Sequence, residues 1–293
     1  MVELNLQNLC GRLLFDFMQH ALLAIMLGSI ACCLLSSIVI VNRMTFLAGG
    51  ISHFAYGGVG LGVFLGWPLL TTTLAFTVAG ALILAKWTQQ NEGNSDRVVS
   101  LLWAAGMAFG VLMTDLTPGY QVDLGSYLFG NILAIPSSDL FWMVGIDCFI
   151  LWLVLGGDKP LLAVSYDHEY AELTSVPVKW FYPLVKVLLA CGVVILIRLV
   201  GIILVLALLT IPPSIMAKHA SSLQQLMMGS ILLCFALCLI GLIISYYVDT
   251  NTSAAIVGVA IATYLTKTLL ELTKNRLITK YGIVKHMLKV VSW

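Results

Sequence analysis

The chain has 293 residues, of which 60% are hydrophobic and 10% charged, and a net charge of +1. Soluble domains carry about 25% charged residues, so this chain shows lipid rather than water to most of its surface, and its near-neutral charge excludes a nucleic-acid-binding role. A spanning helix takes about 20 apolar residues, so about eight or nine spans fit and a separate ATPase or catalytic domain does not.

Residues 1–16 form a short N-terminal segment expected at the membrane interface. The first apolar run, 17–41, is longer than the roughly 7 to 15 residues of a signal-peptide core and is expected to stay in the protein. Further runs of helical length follow at 44–66, 68–87, 98–116, 139–157, 180–200, 202–217, 224–247 and 252–270. Between them, TPGYQVD (117–123) and VDTNT (248–252) are turn-like. The stretch DLGSYLFGNILAI (123–135) is too short to span and stops at Pro136. It is expected as a short re-entrant helix near the outer surface, where protein or a water cavity must cover its ends. The pattern predicts an all-α polytopic integral membrane protein, with a transmembrane domain over 17–270 and a basic tail over 271–293.

Orientation follows from Lys and Arg. Arg43, Lys86, Arg97, Lys159, Lys179, Lys218, Lys267, Lys274, Arg276, Lys280, Lys285 and Lys289 fall on one set of alternate connections, and only Arg12 and Arg198 on the other. With nine spans, the positive-inside rule places loops 87–97 and 156–179 and the C-terminus in the cytoplasm. Lys186 is left within a span and is expected to snorkel to the cytoplasmic face.

The seven cysteines, Cys10, Cys32, Cys33, Cys148, Cys191, Cys234 and Cys238, show no metal-ligand or disulfide spacing and read as small buried hydrophobes. Nucleophile elbow, Walker, CxxC and HExxH motifs are absent from the sequence. What remains is polar residues at depth, which are costly in lipid and tend to be functional.

In FLAGGISHFAYGGVGLG (46–62) these are Ser52 and His53. On the same helix Gly58, Gly62 and Gly66 recur every fourth residue, a smooth face for close packing, and His53 sits about 140° round the wheel from it. The histidine is either a neutral imidazole bonded to a neighbouring helix or a ligand or relay on a substrate path. Asp123 is either the N-cap of the short outer helix or an attractor of cations at a pathway mouth. Asp249 reads as a turn residue, and Asp115 and Asp139 as interfacial helix ends. Asp147 falls mid-span and calls for a polar partner or a lumen position. In the 156–179 loop, residues 165–175 form an amphipathic pattern with Tyr166, Tyr170 and Leu173 on one side and Asp167, Glu169 and Glu172 along it, and Pro177 ends it. A short cytoplasmic helix of this kind suits docking in another protein's groove.

Five stretches, NRMTFLAGGISHFAYGGVGLG, VDLGSYLFGNILAIPSSDL, SYDHEYAELTSVPV, RLVGIILVLALLTIPPSIMAK and SYYVDTNTSAAIVG, together resemble the permease subunits of the bacterial zinc/manganese/iron ABC importer family, in that family's order and over about 42–265. The resemblance implies a multi-pass permease in the bacterial plasma (inner) membrane, paired with a second copy. It implies two cytoplasmic ATP-binding subunits docked at Tyr166, Asp167, Glu169, Tyr170 and Ala171 of a coupling helix, and a periplasmic or lipid-anchored metal-binding protein. The cargo implied is a divalent metal ion, zinc or manganese, passing the second helix. No covalently bound cofactor is expected, and ATP would belong to the partner.

The family pattern puts an aspartate four residues before the histidine and a proline four after it. Here those positions are Gly49 and Gly57. A divalent cation in a low-dielectric site needs compensating charge, which neutral His53 does not supply. Three explanations stay open: Asp123 or Asp147 replaces the missing acid, a less charged species or metal complex is carried, or the site is weak. The competing classes are a permease for a metal chelate or other small solute, and a proton-coupled secondary transporter with His53 and Asp147 as relay.

Overall fold

The computed structural model describes residues 16–42, 44–90, 95–118, 130, 137–156 and 178–291. Among these, nine helices follow one another: α1 Asp16–Val41, α2 Thr45–Leu65, α3 Leu69–Gln90, α4 Ser95–Asp115, α5 Ser137–Gly156, α6 Val178–Val200, α7 Ile202–Met216, α8 Leu223–Val248 and α9 Thr252–Val291. Every apolar run of the sequence is a helix, because each is long enough to satisfy its own backbone, as a lipid environment requires.

Six of the nine are long and apolar enough to cross a membrane: Met18–Val41, Thr45–Leu65, Leu69–Thr88, Ser95–Asp115, Leu223–Val248 and Thr252–Lys274. The expected count of eight to nine spans is thus reached for six among the described residues. Helix α7 departs most clearly. Its 15 residues rise about 22 Å, short of a hydrocarbon core of about 30 Å. Helix α9 departs in the other direction, running unbroken through the boundary placed at 270 to Val291.

Helix α2 lies against α4 and α3, with α6 packed on α3; α7 touches α1, α9, α8 and α2; and α8 pairs with α9 and α1. Helix α5 rests on α1 and, less closely, on α6. The core is formed by buried side chains from these contacts, among them Leu35, Ile51, Leu189, Val193, Leu204 and Leu209. Hydroxyls within the helices bond to carbonyls one turn back, as Ser29 does to Ile25 at 2.6 Å and Thr77 to Thr73 at 2.6 Å, which removes the cost of burying them.

Backbone approach between α2 and α4 is close enough to require glycine. A Cβ on Gly60 would lie 2.7 Å from Gly110 Cα, and one on Gly110 2.7 Å from Tyr56 O, distances no side chain tolerates. The expected stripe divides. Gly58 presses on α3, where a Cβ would come 2.6 Å from Thr73 Cα, and Gly62 also faces α3, beside Thr72 and Leu69. Gly66 does not pack: it caps α2 with φ 66°, and open space surrounds its Cβ position. At that spacing the chain needs a left-handed residue to end the helix.

The α6–α7 break is made by Gly201, whose φ is 81°. Ser253 Oγ donates to Val200 O there at 3.2 Å. Gly130 packs on the same point, so closely that a Cβ would stand 2.6 Å from Gly201 N. Its φ of 63° lies outside right-handed helix space, so residue 130 itself is not helical; the rest of 123–135 lies outside the described residues. The N-terminal segment 1–15 and the coupling region 157–177 lie outside them too.

Lys186 corrects an expectation. It does not snorkel: it is 1% exposed, and its Nζ donates to Thr88 Oγ1 at 3.0 Å. Packing of α6 on α3 brings a hydroxyl within hydrogen-bonding reach of the buried ammonium.

Candidate permeation site

Helix α2 turns three residues towards one region. Phe46, Gly49 and His53 are spaced by three and four, which places them on one face. Trp103 of α4 receives the aromatic members of this face. The His53 imidazole stacks on its indole with ring centroids 4.3 Å apart and 9° between planes, and Phe46 lies tilted against it at 6.3 Å. His53 is half-buried, and its buried Nδ1 has no hydrogen-bond partner among the described residues. A stacked, fixed imidazole with an unused ring nitrogen can accept a proton or bind a soft or borderline metal ion.

Gly49 opens beside this stack. It lines a cleft of about 570 Å³ with Thr45, Phe46, Trp103, Leu206, Ala207, Thr210, Ile211 and Ile261. No acidic residue is among them. Trp103 borders the cleft and His53 does not, so the indole stands at the boundary between the two. A Cβ at Gly49 would meet only Leu206 Cδ2 at 3.7 Å, an ordinary contact, so the position has room for a side chain. The two hydroxyl residues of the cleft are Thr45 and Thr210, and the Thr210 hydroxyl donates to its own helix at Leu206 O, 2.7 Å away.

The other polar residues named from the sequence fall elsewhere. Ser52 is fully buried and its hydroxyl donates to Ala48 O at 2.8 Å, within α2. Asp147 is 4% exposed and neither carboxylate oxygen has a hydrogen-bond partner among the described residues. It sits on α5, which packs on α1 and α6 rather than α2, so it does not stand in for a carboxylate at Gly49. Asp123, Tyr166, Asp167, Glu169, Tyr170 and Ala171 lie outside the described residues.

Trp103 and the α7 wall of the cleft were not legible as site residues. Trp103 stands in an apolar run, where a tryptophan is unremarkable, and its pairing with His53 is a contact between helices that spacing does not encode. Gly106 and Gly110 four residues apart in WAAGMAFG did carry a packing signal of the small-xxx-small type, and they are the partners of α2.

Comparison with known proteins agrees with this architecture. Residues 14–271 match the ABC 3 transport family. The chain belongs to that family. Within it, an uncharacterized membrane protein of Synechocystis is 38% identical over 251 residues, covering 86% of this chain and 89% of that one. The manganese transport system membrane protein MntC of Halalkalibacterium halodurans is 28% identical over 84% of each chain. Among solved structures, a chain of PsaBC from Streptococcus pneumoniae, in complex with Fab, superposes with a TM-score of 0.78 at 28% identity, covering 89% of this chain and 94% of that one. This ABC 3 family member is accordingly a multi-pass membrane subunit of a transporter and not an enzyme.

Proposed function

We propose that the chain is the transmembrane permease of a binding-protein-dependent importer that takes up a divalent transition-metal ion, manganese or zinc, driven by ATP hydrolysis on partner subunits. The observation that carries this reading is His53, whose buried Nδ1 has no hydrogen-bond partner among the described residues and whose ring stacks on Trp103, itself part of the lining of a cleft at the junction of α2, α4, α7 and α9. An imidazole suits manganese less than zinc, whereas the family likeness includes manganese transport proteins. Both ions therefore belong in the assay.

The reading extends to the complex. A second permease copy would close the cleft, which a single chain leaves open. Two cytoplasmic ATP-binding subunits would engage the segment bearing Tyr166, Asp167, Glu169, Tyr170 and Ala171, and a periplasmic or lipid-anchored metal-binding protein would deliver cargo on the Arg12 and Arg198 side. In the plasma membrane, with α6 crossing beside α3 and α5 completing the layer on α1, the spans would reach the expected eight to nine. The basic tail would remain cytoplasmic.

Metal-dependent stimulation of ATP hydrolysis in the reconstituted complex, across manganese, zinc and iron, tests this. Stimulation by one of them is expected, and uptake that proceeds without ATP but collapses with the proton gradient would overturn it. One observation favours a second reading, uptake of a metal chelate: the cleft presents Gly49 and apolar walls where a bare divalent cation would need a carboxylate. Stimulation only by a pre-formed complex would select that reading.

A further inference from the structure

The contact of α2 with α4 fixes its register on both sides of His53. Val99, Trp103, Gly106 and Gly110 follow one another at spacings of four, three and four, which puts them on one face of α4. A Cβ on Gly50 would run into the Val99 side chain, one on Gly106 would lie 2.6 Å from Phe54 Cα, and one on Gly57 would lie 3.0 Å from Gly106 O. Gly50, Gly57 and Gly60 thus lie against Val99, Gly106 and Gly110 in order, and Trp103 falls between the first and second of these contacts, at the level of His53. Backbones this close leave little freedom for one helix to slide along the other.

A metal-ligating histidine is ordinarily oriented by a hydrogen bond from its second ring nitrogen to a carboxylate, a carbonyl or water. His53 Nδ1 is buried and has no such partner among the described residues. One turn before it on α2, the position is Gly49, which offers no side chain. The Trp103 indole lies against the ring instead, 4.3 Å away between centroids and 9° from parallel. A near-parallel stack sets the plane of the imidazole and covers only a face, so the in-plane nitrogens stay open to other partners. The same indole lines the cleft beside Gly49.

Resting on the functional reading above, we propose that Trp103 is a positioning residue for His53. Its indole does what a hydrogen-bond partner would otherwise do, holding the imidazole plane so that the ring's nitrogen edge meets cargo in one orientation. Trp103 is not itself a ligand, because an indole N–H only donates. Its contribution passes through His53, so its loss weakens cargo binding rather than slowing the ATP-driven step.

The test measures uptake of free manganese and of free zinc by the reconstituted complex over a range of ion concentrations. Trp103→Leu, which removes the flat ring but keeps an apolar side chain, is expected to raise the half-saturating concentration about tenfold with the maximal rate unchanged. Trp103→Phe, which restores a flat ring, is expected to recover most of that loss. In a His53→Ala background Trp103→Leu is expected to add nothing, because the two side chains act as one unit. Elution of each variant as the assembled complex in size-exclusion chromatography separates lost positioning from lost folding. A further loss from Trp103→Leu in the His53→Ala background, a fall in maximal rate alone, or a Trp103→Phe variant no better than Trp103→Leu would each overturn the proposal. Unaltered uptake in Trp103→Leu while His53→Ala fails would overturn it too and leave the functional reading standing, whereas unaltered uptake in His53→Ala would overturn both.

Discussion

Helices α2 and α4 approach until Gly60 and Gly110 face each other backbone to backbone, whereas α1 meets α5 and α8 through side chains, Met143 beside Gly28 and Cys33 against Ser230 O. Each region also buries a polar group without a hydrogen-bond partner among the described residues, His53 Nδ1 in the first and the Asp147 carboxylate in the second. Their surroundings differ. Glycine lets α2 and α4 close so tightly that His53 stacks on Trp103 and Phe46 tilts against the same indole, which lines the cleft beside Gly49. Asp147 is 4% exposed, on a helix that rests on α1. Close backbone packing thus sets a cleft at its edge, while side-chain packing encloses a carboxylate.

The largest effect is expected where the first region depends on glycine. Gly60→Val places its side chain against the Gly110 backbone and is expected to cost about 3 kcal/mol by overpacking, read as a lowered thermal midpoint in detergent. Gly145→Ala, which meets nothing within 4 Å, is the matched control; equal shifts for the two would break the contrast.

Next comes the histidine. His53→Ala is expected to lower metal uptake about 10- to 100-fold with the assembled complex intact on size-exclusion chromatography. Unchanged uptake would return His53 to a packing role, with Trp103 merely its neighbour.

Adding the carboxylate that the cleft lacks is a milder change. Gly49→Asp has room for its Cβ and is expected to raise uptake of the free divalent ion relative to a chelate about tenfold, or about 1.4 kcal/mol. A fall in free-ion uptake would show that the cleft is not on the path.

The smallest effect lies outside both regions. Lys218, between α7 and α8, forms an ion pair with Glu271 at the surface, and this hydrogen bond holds its pKa above the ordinary lysine range. A raised folded-state pKa gives stability below the ordinary lysine range that is lost as pH rises through the raised value. Because both groups are solvated, Lys218→Met is expected to leave the thermal midpoint at neutral pH unchanged, and a clear drop would mean that α9 and the end of α7 are held together more tightly than solvent allows.

Much of the helical order was legible because lipid leaves the backbone a single solution. An apolar run such as 202–217 has to satisfy its own hydrogen bonds, and it appears as Ile202–Met216. Boundaries blurred where that demand relaxes: α9 continues to Val291 past its last apolar residues, since a polar sequence can also be helical. The role of Gly66 was misread from spacing, because period four describes a helix face and Gly66 already stands where the helix stops. For the site, His53 and the missing acid at Gly49 were visible as residue types in a pattern, and Asp147 was visible as a charge out of place.

Composition and periodicity alone determined that the chain lives in lipid, where its helices run, and which few polar residues carry a cost. Both are local properties, set within a window of some twenty residues by solvation and backbone hydrogen bonding. Which of those residues meet was decided only by tertiary packing. That His53 stacks on Trp103, that Gly49 opens a cleft towards α7 and α9, that Lys186 reaches Thr88, and that Asp147 lies on a helix packed against α1 rather than α2 all depend on how helices rotate against one another. Those rotations follow from the steric fit of whole faces, glycine against glycine in one region and side chain against side chain in the other, and no single helix contains both sides of the fit.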